Sequence, residues 1–144
     1  DWAAIDDAAI SSYINDDTSS PEGYTDPWKP EYNSDPTTSI TVKWDEGASN
    51  EEKLERIITQ KWIAIFPLGN EAWAEYRRTG YPKLMPAKDN KSGGTVNSKY
   101  GMRRLPYPSE EYSENRTNVE AAITSLGGPD NGGTRTWWDC KPLN

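Results

Sequence analysis

The sequence predicts a mainly α-helical fold: a helical hairpin plus further helices, joined by long irregular loops rich in proline and glycine. Three observations predict it. Two stretches with apolar residues at helical spacing follow one another across a very short Pro/Gly turn, the first over Asn50–Phe66 and the second from Asn70. A third such stretch carries Val119, Ala122, Ile123 and Leu126 and ends at Gly127-Gly128-Pro129. Between them run long polar segments with neither the helical nor the strand period.

Composition narrows the function classes. The chain has 144 residues, about one domain's worth. Only 33% is hydrophobic, yet seven Trp and eight Tyr set it apart from the aromatic-poor composition of a disordered segment. Apolar mass is held in a few large rings. A net charge of −7 argues against attraction to nucleic acid or to an anionic membrane surface. No apolar run approaches the roughly 20 residues that a spanning helix needs. One cysteine, Cys140, excludes an internal disulfide framework and a multi-thiolate metal site. With no histidine at all, Ser-His-Asp and Cys-His nucleophile pairs and imidazole zinc sites are removed. No cofactor and no metal are expected.

Taken in order, Trp2, Ile5, Ala9 and Tyr13 recur at helical spacing, so the sequence opens inside an amphipathic helix that only Asp1 is placed to cap. Such a start is expected of a part of a longer protein. Asn15 to Pro36 reads as loop, with four prolines and no periodicity. Ile40, Val42 and Trp44 alternate with Thr41 and Lys43, which predicts a short strand or extended segment. These first 48 residues are read as helix, loop and extended segment, and residues 49–144 as a C-terminal motif region.

Ser49 with Glu52 forms a capping box ahead of the first hairpin helix, with Glu51, Glu52 and Glu55 near its positive end. Leu54, Ile57, Ile58, Trp62 and Ile65 form its apolar stripe, and Pro67 and Gly69 stop it. The second helix presents Ala72, Trp73 and Tyr76 inward, places Arg77 and Arg78 favourably for its dipole, and ends at Gly80 before Pro82. Joined by so short a turn, the two should pack as a hairpin. Lys83 to Glu114 reads as one long loop. Thr117 with Glu120 reads as a second capping box opening the last helix. The tail is turn-rich around Trp137-Trp138, one ring of which is expected to be buried and the other at the rim.

Candidate chemistry is sparse. Asp6-Asp7, Asp16-Asp17, Glu51-Glu52 and Glu110-Glu111 offer paired carboxylates, and a glycosidase needs two about 5–10 Å apart across a cleft. Each pair is read instead as a helix end or a solvated loop. NDDTSS lacks the spacing of an EF-hand calcium loop. Asn115-Arg116-Thr117 matches a glycosylation acceptor pattern, read here as coincidence at a helix start. In GMRRLPYP, Arg103 and Arg104 are read as pairing with acidic neighbours while Pro106-Tyr107-Pro108 lies extended across the core. Tyr24, Trp28 and Tyr32 recur every four residues in a polar, Pro-rich loop where burying a ring is difficult. Flat rings with polar tips stack on sugar faces or grip partner proteins, and they equally pin a loop to the body of a larger protein. They are the candidate ligand-binding residues.

The run NEEKLERIITQKWIAIFPLGNEAWAEYRRTGYPKLMP (Asn50 to Pro86) resembles the C-terminal region of the SusD/RagB family, in its SusD-like branch. MRRLPYPSEEYSENRTNVEAAI, LGGPDNGGTRTWWD and the preceding ITVKWDEGASNEEK follow the same pattern, so the resemblance covers nearly the whole chain from Ile40. It implies the C-terminal part of a longer α-helical fold containing tetratricopeptide-like helix pairs. It further implies a surface-exposed lipoprotein of the outer membrane of Bacteroidetes, with the lipidated cysteine outside this stretch and not represented by Cys140. The implied role is to bind a glycan or other nutrient and pass it to a SusC-like TonB-dependent transporter. Family ligand sites vary, so the resemblance transfers no binding residue.

Three functions remain open at this point: non-catalytic nutrient binding coupled to import, a carboxylate-based glycoside hydrolase domain, and a purely structural segment that docks to the transporter. The first is the expectation, with the remainder of a longer chain, an oligosaccharide and a transporter as partners and no nucleic acid.

Overall fold

The computed structural model describes residues 6–141 and is mainly helical, with no strand among the described residues. Among the described residues there are five α-helices, α1 (Asp7–Ile14), α2 (Asn50–Ala64), α3 (Gly69–Thr79), α4 (Ser109–Glu114) and α5 (Arg116–Leu126), and one 3₁₀ turn, Pro30–Tyr32. The chain divides into two compact units, one up to Met85 and one from Pro86.

In the first unit, α1 begins where the Asp6 carboxylate accepts the Ala9 N–H at 2.6 Å, so Asp6 caps the described helix. Trp2 and Ile5 of the expected stripe lie outside the described residues, as does Asp1. The Ile40–Trp44 segment is extended or bent but pairs with no strand; its Lys43 N–H donates to the Asp16 carbonyl at 2.9 Å. Alternation alone does not make a strand when no neighbouring chain offers a ladder.

The capping box of α2 forms as read. Glu52 N–H donates to Ser49 Oγ, and Glu52 Oε2 accepts the Ser49 N–H at 2.9 Å. Hydrogen bonds from the Ser49 side chain and backbone hold the Glu52 carboxyl below its usual range. The apolar stripe, however, is rotated from the expected face. Ile58 is buried, Leu54, Trp62 and Ile65 are half-buried, and Ile57 is 52% exposed. Glu55 and Arg56 are buried in place of Ile57. Glu55 accepts from Thr38 Oγ1 and pairs with Lys83 Nζ at 2.8 Å, while Arg56 Nε donates to the Thr41 carbonyl at 3.0 Å. The strapping of residues 38–41 and Lys83 across this side of α2 therefore rests on polar anchors, which periodicity does not register.

Helices α2 and α3 pack as the expected hairpin. Lys61 joins them by pairing with Glu71 at 2.8 Å and Glu75 at 2.9 Å. Ala72 and Tyr76 are buried, and Trp73 is half-buried under the Arg77 guanidinium, 3.6 Å from its ring centre. Gly80 ends α3 at φ 75°, the left-handed conformation that glycine adopts without a Cβ penalty. Tyr81 behind it is buried and donates to Glu51 at 2.9 Å; burial, then that hydrogen bond, pushes its phenol up to about 12.

In the second unit the long loop is shorter than expected, because its last residues form α4. The loop bridges itself: Ala87 N–H donates to the Ser98 carbonyl at 3.0 Å, and Asn90 Nδ2 to the Val96 carbonyl at 2.6 Å. The Thr117–Glu120 capping box does not form. Helix α5 starts earlier, after Asn115, and Glu120 pairs with Arg116 at 2.7 Å. Thr117 is thus already inside the first turn. Val119 is buried, Ala122, Ile123 and Leu126 are half-buried, and Gly127 closes the helix as read. Neither ring of the tail pair is buried: Trp137 is 89% and Trp138 36% exposed.

The GMRRLPYP segment is held by charge. Arg103 is buried against Asp139, and Arg104 against Asp130. Asp130 also accepts the Tyr107 N–H at 3.0 Å and the Tyr112 hydroxyl at 2.6 Å, fixing the Pro-Tyr-Pro stretch and α4 to one carboxylate. Burial alone would raise the Asp130 and Asp139 carboxyls; hydrogen bonds from Tyr112 and Arg104, and from Arg103 and Arg135, outweigh it and hold both below the usual range.

Candidate functional site

The loop over residues 23–34 carries the three candidate rings, and its shape follows from its residue types. Gly23 lets the backbone pass close to Ser34, whose carbonyl oxygen would stand 2.7 Å from a Cβ at that position. Tyr24 and Ser34 then exchange both backbone hydrogen bonds, at 2.8 and 2.9 Å, as an isolated antiparallel bridge. Inside that bridge Asn33 Oδ1 accepts the Asp26 N–H at 2.8 Å. Asp26 Oδ1 in turn accepts the N–H groups of Trp28 at 2.9 Å and Lys29 at 2.7 Å, the side-chain-made turn that Asp favours. Those two backbone donors hold the Asp26 carboxyl below its usual range. Pro30 opens the 3₁₀ turn that returns the chain to Ser34.

The bridge closes two residues after Tyr32, so Tyr24, Trp28 and Tyr32 stand on one closed loop, and their environments differ. Tyr24 is 48% exposed and its hydroxyl donates to Asp26 Oδ2 at 3.1 Å, which raises the phenol above its usual value. Tyr32 is half-buried with the Lys29 ammonium 5.2 Å from its ring centre. Trp28 is 86% exposed. Its side chain is free while its backbone N–H is fixed by Asp26.

The carboxylate pairs keep the structural roles expected of them. Asp16 accepts from Thr18 and Ser19 N–H, each at 2.9 Å, and is held well below the usual range by Ser19 and then Thr18. Asp17 pairs with Lys43 at 2.8 Å. Both line an open depression with Ala9, Ser12, Tyr13 and Thr18. Glu111 accepts from Asn115 Nδ2 at 2.9 Å, and Glu110 from Ser109 Oγ at 3.1 Å. The carboxyls of Asp16, Asp17, Asp26, Glu52, Glu75, Asp130 and Asp139 are all held below their usual range. No group of three or more Cys, Asp or Glu among the described residues could hold a metal ion, and no helix there is long and apolar enough to cross a membrane.

Sequence reasoning missed the polar anchors Glu55, Arg56, Asp130 and Asp139. The doubled Arg103-Arg104 between apolar residues was the one signal that buried carboxylates must exist, and nothing local says which.

The model of the SusD-like family, described as SusD and RagB outer membrane lipoproteins, matches residues 3–139. No curated protein sequence matches the chain. Among solved structures, a chitin-binding SusD homologue from Flavobacterium johnsoniae is 52% identical with a TM-score of 0.86, over 92% of this chain and 27% of that one. A SusD homologue from Bacteroides uniformis is 56% identical with a TM-score of 0.87, over 97% of this chain and 29% of its own. One from Bacteroides thetaiotaomicron is 48% identical with a TM-score of 0.83, over 92% and 29%. The chain thus spans less than a third of the length of these relatives. A family model matched over almost every residue, and a fold shared at such identity, lead to one conclusion: the chain belongs to the SusD-like family of SusD and RagB outer membrane lipoproteins.

Proposed function

We propose that the chain is part of a glycan receptor at the outer surface of the outer membrane, which holds an oligosaccharide without transforming it and hands it to a SusC-like TonB-dependent transporter. The observation that carries this reading is the 52% identity to a homologue described as chitin-binding. At that identity the backbone is retained, and β-linked N-acetylated sugars are the first ligand class to test. Within the chain, the loop with Tyr24, Trp28 and Tyr32 is the ligand-contacting candidate, since it presents an exposed ring on a backbone already ordered.

Titration calorimetry of the full-length protein with chitin oligosaccharides tests the capture step, and co-purification with an outer-membrane transporter tests delivery. Saturable binding without release of reducing ends is expected. Hydrolysis of the titrated sugar, abolished by a carboxylate substitution in this chain, would overturn the reading.

A further inference from the structure

Helix α1 has no buried residue, although Ile10, Tyr13 and Ile14 share one face of it at helical spacing and all three are exposed. Eight residues are too few to hold a helix in water without packing. Its tie to α2 is the Tyr13 hydroxyl, which donates to Gln60 Oε1 at 2.6 Å. Gln60 shares a stripe of α2 with Arg56, Thr59 and Ile63, at i, i+3, i+4 and i+7. Ile63 is exposed, so the open face of α1 adjoins an open side of α2. Ile57 lies outside that stripe.

Arg56 is the anomaly on this side. It is only 9% exposed, yet it donates a single hydrogen bond, from Nε to the Thr41 carbonyl. Its Nη1 is enclosed without a partner, as is Thr59 Oγ1 one turn further along. Nη2 is neither bonded nor enclosed. The carboxylates on its own helix are committed elsewhere. Glu52, four residues back where an ion pair would form, is turned to Ser49 in the capping box, and Glu55 pairs with Lys83. Arg103 and Arg104, equally buried, each rest on an aspartate, whereas Arg56 has no ion pair among the described residues. A guanidinium withdrawn from water lowers stability until a carboxylate meets it.

We propose that α1 and the Arg56–Ile63 stripe of α2 form the face on which the remainder of the receptor chain packs, and that the remainder supplies a carboxylate to Arg56 at Nη2. More than two thirds of each solved relative lies outside the part that this chain matches, so enough chain exists to cover the face. The charge selects the occupant. A partner that comes and goes would leave the guanidinium uncompensated each time it departed, whereas a segment of the same chain compensates it once, on folding. The covering element carries an apolar side for Ile10, Tyr13, Ile14 and Ile63, and one Asp or Glu for Arg56.

The test uses the full-length protein with the photo-cross-linker p-benzoylphenylalanine placed at Ile63. Irradiation is expected to give an intramolecular product, joined to a peptide from outside these 144 residues that contains Asp or Glu. A product of doubled mass, a product with a transporter on irradiation in membranes, or no product overturns the assignment. Arg56→Glu should then lower the melting temperature by several degrees, and replacing the acid of the cross-linked peptide by Arg should restore most of the loss. Should Arg56→Glu not fold, Arg56→Met is compared with the same change combined with an apolar residue at that acid, and the double variant is expected to be the more stable. Failure of every acid in the cross-linked peptide to rescue the Arg56 variant overturns the carboxylate anchor.

Discussion

Arg103 grips Asp139 with two hydrogen bonds, Nε to Oδ2 at 2.7 Å and Nη2 to Oδ1 at 2.6 Å, across thirty-six residues of chain. Arg135 adds a third at 3.0 Å to the same carboxylate. The Asp139 side chain is fully buried and that of Arg103 is 5% exposed, so the parallel two-point contact forms away from water. It ties the extended stretch after Gly101 to the tail, and the Arg103 N–H to Gly132 carbonyl bond at 2.7 Å reinforces the tie. The second unit has Val119 as its one buried large apolar side chain among the described residues, which leaves this pair much of the work of closing it.

Arg103→Ala should therefore destabilise the second unit by about 3 kcal/mol, because it leaves a buried carboxylate with only the single bond from Arg135 in place of the two-point contact. The triple replacement Arg103→Met/Arg135→Met/Asp139→Leu should recover most of that loss, since it removes both guanidinium partners together with the carboxylate and leaves no charge to desolvate. Chemical denaturation of the wild type, the single variant and the triple variant checks it. A single variant as stable as wild type would show that Asp139 is solvated after all.

Stability should fall on the acid side through these same carboxylates. Asp130 and Asp139 have folded pKa values below the ordinary aspartate value near ~3.9. Their stabilising contribution is complete above that unfolded value and drains away as pH falls through the lower folded one. A melting curve series below about pH 4 should show the decline, and the Arg103→Met/Arg135→Met/Asp139→Leu variant should decline less steeply. Parallel acid limbs in the two proteins would remove Asp139 from the explanation.

The two adjacent isoleucines of α2 offer a sharper contrast. Ile58 is 4% exposed and Ile57 52% exposed. Ile58→Ala should cost about 2–5 kcal/mol, and Ile57→Ala well under about 1. Trp62, half-buried, should fall short of the full cost of removing an enclosed tryptophan. Equal shifts in melting temperature for the two isoleucines would put α2 in the orientation that periodicity alone predicts.

That contrast marks what was legible in the sequence. The Ser49–Glu52 box and the Gly80 and Gly127 stops were readable because each is decided within one helical turn. The facing of α2 was not, because Glu55 and Arg56 are buried by partners at Lys83, Thr38 and Thr41, none of which belongs to a helical period. Helix α4 has six residues, Pro108 ahead of it and no apolar stripe, so it shows neither signal that reveals a helix. Thr117 met the requirement for a capping box, yet the chain had already turned helical at Arg116. Among the candidate site residues, the exposure of Trp28 followed from its polar surroundings, but the Asp26 and Asn33 clamps that order it arise from pairings within the turn.

Those clamps make Gly23 the most informative position in the loop. A methyl group there would stand 2.7 Å from the Ser34 carbonyl oxygen, which is the acceptor for the Tyr24 N–H. The backbone must part to admit it, so Gly23→Ala should open the Tyr24–Ser34 bridge without touching any ring. Amides of Tyr24 and Ser34 should lose hydrogen-exchange protection, and sugar affinity should drop as Trp28 gains freedom that binding must then remove. Global stability should change by less than about 1 kcal/mol, since no residue from Gly23 to Ser34 is fully buried. Gly69→Ala serves as the control: it sits in open space at the start of α3, where alanine is the better helix former. If Gly23→Ala lowers protection at the bridge but leaves sugar affinity intact, preorganisation of the Trp28 loop plays no part in binding.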